Sequence, residues 1–151
     1  MKLVVVGKIK ERNLTELIDD YSNRIKKFTK FEIIVYKDYP DDDIELAKKK
    51  EGENLLKNIK KEDCIILLDL HGNEYTSEKF AKLIDELQIK TSKDIVFMIA
   101  GSNGFSEEVL NRANYRINLS KFTFPHNIVR LLVVEQIYRS FKIINNHNYH
   151  K

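Results

Sequence analysis

The sequence predicts an α/β protein, a mostly parallel sheet with helices on both faces, and three observations carry that prediction. Short β-branched runs alternate with longer segments of helical period, the pattern of successive βα units. Two runs, residues 64–68 and 95–99, are apolar throughout, as central strands covered on both faces must be. Only five glycines occur, and Gly7, Gly72, Gly101 and Gly104 fall just after or near strand ends, where open α/β sheets bind ligands.

Taken in order, residues 2–6 (Lys-Leu-Val-Val-Val) read as the first strand. Leu14, Leu17, Ile18, Tyr21, Ile25 and Phe28 then recur at spacings of three, four and seven, one face of a first helix. A second strand spans 32–36. A second helix follows from Ile44 to Ile59, opened by Asp41, Asp42 and Asp43, whose carboxylates suit the partial positive charge of a helix N-terminus better than a metal. After the strand at 64–68, Ser77 caps a third helix reaching Leu87, and after the strand at 95–99, Ser106 caps a short one reaching Ala113. A fifth strand spans 115–119. The last helix, from about Asn127 to Ile144, carries Ile128, Val129, Leu131, Leu132, Val133, Val134, Ile137, Tyr138 and Phe141, more apolar surface than one stripe. A face should remain after it packs on the sheet, and an isologous homodimer would cover it. Glu135 in this run can pair with Arg139 or with Arg130.

The 151 residues make one domain, 1–151, and nothing Pro-, Gly- or Ser-rich divides them. Hydrophobic residues at 42% and charged residues at 32% fit a soluble globular chain, with no apolar run near the roughly 20 residues of a membrane span. The opening residues lack a secretory pattern, so a cytoplasmic protein is expected. The net charge of +3 permits a polyanionic partner without requiring one. Cys64, inside an apolar run, reads as a small buried hydrophobe and not as a nucleophile.

Two loops could carry chemistry. Residues 99–105 (Ile-Ala-Gly-Ser-Asn-Gly-Phe) follow a strand and open a helix, so backbone N–H groups could approach a ligand; the same residues also suit a bare turn. Residues 119–126 (Leu-Ser-Lys-Phe-Thr-Phe-Pro-His) join the fifth strand to the last helix, and their aromatics could either wall a cofactor slot or plug the sheet's end. The nucleotide fingerprint Gly-x-Gly-x-x-Gly is missing after the first strand, and no Gly-x-x-x-x-Gly-Lys-Ser/Thr occurs, which disfavours a Rossmann-like nucleotide-binding protein with Asp38 holding a ribose. His147 and His150 are spaced by three, without the Cys or carboxylate partners that a zinc site needs, so no metal is expected.

Four stretches together resemble a known family: Ala-Gly-Ser-Asn-Gly at 100–104, Leu-Ser-Lys-Phe-Thr-Phe-Pro-His-Asn-Ile-Val-Arg at 119–130, Glu-Gln-Ile-Tyr-Arg at 135–139, and the terminal Asn-Tyr-His-Lys. The chain resembles, along its whole length, the RlmH family of ribosomal RNA large subunit methyltransferases, of the SPOUT class. The resemblance implies a C-terminal trefoil knot, against the rule that threaded connections are nearly absent. It also implies an S-adenosyl-L-methionine (SAM) cofactor, a homodimer, and a transferase reaction in rRNA processing, methylation of N3 of a pseudouridine in large-subunit rRNA on the assembled ribosome. Carried over by position, the cofactor would meet Leu68, Ala100, Gly101, Leu119, Ser120, Lys121, Phe122, Thr123 and Phe124. The family usually has two successive glycines where this chain has Ala100-Gly101, so backbone contact survives but with a Cβ beside it. Residue type and resemblance together put His126, Arg130, Tyr149 and His150 at the chemistry, the last two on a tail reaching a partner's site. Lys8, Lys10, Arg12 and Arg24 could contact RNA phosphates or be ordinary solvated charges. A ribosome-binding factor without enzymatic activity is the alternative, and it would not bind the cofactor.

Overall fold

The computed structural model describes residues 1–40, 42–90 and 93–149. Its elements run β1 (Lys2–Val6), α1 (Arg12–Ile25), β2 (Glu32–Tyr36), α2 (Ile44–Leu56), β3 (Cys64–Glu74), α3 (Ser77–Lys90), β4 (Ile95–Ile99), α4 (Glu107–Arg112), β5 (Tyr115–Asn118) and α5 (His126–Ile144). The strands form one sheet in the order β2-β1-β4-β3-β5, and every adjacent pair is parallel. All five carboxyl ends therefore lie along one edge, and the ligand-binding loops are gathered there.

Alternation along the strands divides the core in two. Leu3, Val5, Ile66 and Phe97 face a layer made by Ile18 and Ile25 of α1, Ile84 of α3, and Val133, Ile137 and Phe141 of α5. Val4, Val6, Ile65, Leu67, Val96 and Met98 face the other layer, with Leu55 of α2 and Val109 of α4. Each such fully buried side chain contributes about 1.5–3 kcal/mol. β4 is buried along its whole length, as its apolar sequence requires, and β2 at the edge exposes Val35.

Several local expectations are corrected. β3 extends six residues past Leu68, with its pairing to β5 shifted between Leu68 and Asn73. Gly72 permits this: a Cβ there would lie 2.5 Å from the backbone of Arg116 and Ile117. Asp69, His71, Gly72 and Asn73 have no strand propensity, so the extension leaves no pattern to read. α3 is capped by Thr76, whose hydroxyl accepts the Lys79 N–H at 3.3 Å; Ser77 instead donates to Gln136 of α5 at 2.8 Å. α2 ends at Leu56, short of Ile59, and Leu17 on the α1 stripe is exposed.

Other expectations hold. Asp43 caps α2 by accepting the Leu46 N–H at 3.0 Å, Asp41 lying outside the described residues, and Ser106 caps α4. Glu135 pairs with Arg139 at 2.8 Å. Cys64 is buried, and burial pushes its thiol pKa up, away from nucleophilic chemistry.

Candidate active site

At the carboxyl edge of β3, β4 and β5, three loops enclose a cleft of about 630 Å³. One wall is Leu68, Asp69, Leu70 and His71; a second is residues 100–105; the third is Leu119, Ser120 and residues 122–126. The third wall is shaped locally. Asn118 accepts the Ser120 N–H at 3.2 Å and Ser120 accepts the Phe122 N–H at 3.1 Å, two successive side-chain turns that bend the chain away from β5. Phe122 consequently stands 77% exposed on the cleft, and the reading in which it plugs the sheet is wrong for that ring. Phe124, half-buried, lines the same cleft.

The second wall turns at Gly104, whose φ of +80° lies in the left-handed region that favours glycine. Gly104 N–H donates to the Gly101 carbonyl at 3.2 Å, closing the turn. α2 braces this loop from below. A Cβ on Gly101 would come within 2.8 Å of the Glu51 carboxylate, and one on Gly52 within 2.2 Å of the Ser106 hydroxyl. Glu51 is 3% exposed and accepts the Tyr39 N–H at 3.1 Å.

Charge is placed unevenly around the cleft. Asp69 is tied to Arg116 at 2.6 Å and also accepts the His71 N–H at 3.1 Å. His126 opens α5 at the rim, near Gly7, Asp38 and the Arg130 guanidinium. Burial, then the Arg130 charge, holds the His126 pKa below its ordinary value, against the opposing pull of Asp38 and Glu11. The neutral imidazole of His126 is thus favoured. Asn127 donates to Glu11 at 3.3 Å and fixes the start of α5 to that of α1.

Arg130 is 3% exposed and donates to the Val6 carbonyl at the end of β1. Its Nε meets no hydrogen-bond partner among the described residues, and burial lowers its pKa. It stands behind His126 and not on the cleft wall. Tyr149 lies elsewhere. Its hydroxyl donates to Glu135 at 3.1 Å, its ring meets Tyr138 edge-on at 5.0 Å, and Arg139 lies over it; burial first, then Tyr21 and Glu135, raises its pKa. His150 falls outside the described residues.

Eight of the nine residues expected at a cofactor line the one cleft, and Lys121 is exposed outside it. Sequence reasoning missed Asp69, His71 and Arg116, which sit on the β3 extension and its partner, and it missed Glu51. A glycine inside α2 beside that glutamate was the available signal, since helix glycines mark close approach. Lys8 and Lys10 are exposed at the β1–α1 loop, whereas Arg12 pairs with Glu16 and Arg24 with Asp20, each at 2.7 Å. Among the described residues no group of three His, Cys, Asp or Glu could hold a metal, and no helix is long and apolar enough to cross a membrane.

A family model described as a predicted SPOUT methyltransferase matches residues 1–150. The chain belongs to the SPOUT methyltransferase family. It is 44% identical over 155 residues to the ribosomal RNA large subunit methyltransferase H 1 of Clostridium perfringens (strain SM101), covering 99% of this chain and 98% of that protein. It is 43% identical over 157 residues to the ribosomal RNA large subunit methyltransferase H of Clostridium botulinum (strain Kyoto), covering 100% and 99%. A protein of Methanococcus maripaludis (strain C5), described as a putative enzyme of the same name, is 43% identical over 155 residues, covering 99% and 98%. Within the SPOUT class the chain is therefore an rRNA large subunit methyltransferase of the H family, and the all-parallel five-stranded sheet agrees with that class. In this SPOUT methyltransferase, the two loops first marked by glycine and by aromatics are two walls of one cleft.

Proposed function

We propose that this chain methylates N3 of a pseudouridine in large-subunit rRNA on the assembled ribosome, working in the cytoplasm as a homodimer with S-adenosylmethionine in the cleft. One observation carries the reading: a cleft of about 630 Å³ walled by the family-matching loops, with an exposed aromatic, Phe122, on its rim. The size suits a nucleoside-bearing ligand, and apolar walls with a few polar groups are the general form of such sites. Loop backbone at Gly101 and Gly104 supplies close approach without side chains, and Ala100, 8% exposed, keeps its methyl in the core, so the departure from two glycines leaves the cleft open.

When bound, the cofactor supplies a methyl group on a positively charged sulfur. Leu68, Leu119 and the aromatic pair Phe122 and Phe124 hold and dehydrate it. Ser120 and Thr123 give the cleft wall its polar groups, Lys121 lying outside the cleft. In-line geometry set by these walls supplies much of the acceleration, because transfer to a positioned nitrogen needs no covalent enzyme intermediate. His126, neutral at the rim, accepts the N3 proton, and the Arg130 charge behind it favours the imide anion that forms.

The tail belongs to the same reading. α5 rises about 1.5 Å per residue, so Tyr149, bonded to Glu135, sits about 13 Å along the helix from His126. It cannot serve the cleft of its own chain from there. An antiparallel α5 from a second copy would bring Tyr149 and His150 to it, and would cover Ile128, Leu131 and Leu132, which remain partly exposed. The knotted crossing is taken to be the return of the chain from β5 to α5 beside the cleft.

The deciding experiment is methyl transfer from labelled cofactor to intact ribosomes, to separated subunits and to naked RNA, with the modified base mapped. Modification of N3 of a pseudouridine on intact ribosomes is expected. Transfer to another atom, or none, removes the reading. His150→Ala with undiminished transfer would remove the tail from it.

A further inference from the structure

We propose that a hollow on the far side of the β3 extension holds the RNA strand beside the target base, taking the phosphodiester and sugar of a neighbouring nucleotide. This rests on the cleft being where an rRNA base is methylated. An enzyme that works on one base takes it out of the stack, so the strand must run on past the mouth of the cleft.

A second concavity lies at that place. Leu68 and Asn73 both stand opposite Ile117 of β5, so residues 69–72 bulge out of the pairing as a ridge. Asp69, Leu70 and His71 wall the cleft, while His71 and Asn73, with Asn114 and Arg116, wall a hollow of about 270 Å³. His71, Leu110 and Arg116 line both, so the two adjoin. Pockets that enclose a whole small molecule run to roughly 300–1,000 Å³, and the hollow therefore suits one part of a longer ligand.

Its chemistry is one-sided. No carboxylate lines it among the described residues. Arg116 meets Asp69 through Nε at 2.7 Å and Nη2 at 2.6 Å, which fixes the guanidinium plane and leaves its other N–H groups without a partner among the described residues. Asn114 accepts the Ile65 N–H at 2.8 Å through its amide oxygen, so its amide N–H groups are left over. The exposed side chains of His71 and Asn73 have no hydrogen-bond partner among the described residues. A phosphodiester only accepts, and spare donors are what it needs. Such contacts position a strand and carry no sequence information. Because Asp69 compensates Arg116, the hollow gives direction with little net charge, and a charge added there should be visible.

Asn73 is the place to add it, since it lines the hollow and not the cleft. Asn73→Lys and Asn73→Asp are compared with Ile89→Lys, a 79% exposed position near the end of α3 and so at the opposite edge of the sheet. Binding to intact ribosomes is measured at 50 and 200 mM salt, with S-adenosylmethionine calorimetry alongside. One further phosphate contact steepens the salt dependence by about 0.7–0.9 in the log-log slope, so Asn73→Lys should widen the ratio of affinities between the two salts about threefold. Asn73→Asp should narrow it and raise the KM for ribosomes, with cofactor affinity within about twofold of wild type for both. Unchanged ribosome binding, an equal gain from Ile89→Lys, or cofactor affinity that moves with ribosome affinity overturns the proposal while the methylation reading stands. Wild type that binds ribosomes without methylating them removes that reading and the proposal resting on it. Melting curves check folding; should Asn73→Asp not fold, the two lysine variants still decide.

Discussion

Gly52→Ala sets two rules against each other. In a helix interior alanine is favoured over glycine by about 1 kcal/mol, and Gly52 lies inside α2, so propensity alone predicts stabilisation. The structure predicts the reverse. A Cβ at Gly52 would lie 2.2 Å from the Ser106 hydroxyl, 3.0 Å from its Cβ and 3.3 Å from a Val109 methyl, whereas ordinary contacts begin at 3.4 Å. The hydroxyl must retreat by about 1 Å, which removes the cap on the Val109 N–H at a cost of about 1 kcal/mol. Rotation leaves the other two overlaps, and Val109 is fully buried, so α2 and α4 must separate at an overpacking cost of about 1–3 kcal/mol. Subtracting the helix gain leaves a net loss of about 1–3 kcal/mol, a fall in melting midpoint of about 2–12 °C at this size. Cofactor affinity should fall as well, because α4 carries the end of the cleft loop. Thermal melts of Gly52→Ala, Ser106→Gly and the pair test this, since glycine at a cap costs only a few tenths of a kcal/mol and removes the obstruction. The pair should be more stable than Gly52→Ala alone. A single variant that melts at or above wild type would refute the packing argument.

Phe122→Ala should leave the melting midpoint within about 1 °C, since exposed positions rarely matter to stability, yet weaken S-adenosylmethionine about tenfold by calorimetry. Arg112 donates to the carbonyls of Lys60, Lys61 and Asp63 at 2.8, 2.6 and 3.2 Å; Arg112→Ala should lose about 1–2 kcal/mol in denaturant melts with cofactor affinity unchanged. His126 titrates below its ordinary 6.5 in the folded chain, so between the two values the unfolded chain binds more protons. Its contribution to stability is present above pH 6.5 and is lost as pH falls through the folded value; His126→Asn should flatten the melting midpoint between pH 8 and pH 5, and an unchanged slope would contradict this.

The sequence by itself determined the element order, since each signal is local: β-branched runs for the strands, Asp43 and Ser106 at helix starts, and an apolar α5. It also marked two of the cleft's walls, because glycines after β4 let backbone approach a ligand and aromatics after β5 can line a slot. Their resemblance to one family supplied the activity, which composition and periodicity could not. What only the tertiary structure decided depends on residues far apart in the chain. The β3 extension exists because Gly72 lets β5 come close, and that contact spans more than forty residues. Phe122 is a wall and not a plug because Asn118 and Ser120 bend the loop outward. Tyr149 lies a helix half-length from the cleft because Glu135 and Tyr138 hold it there. Glu51 could not be recognised beside a cleft from its own neighbours, since helical period says only that a residue is buried, and what it is buried against is settled by the approach of α2 to Gly101.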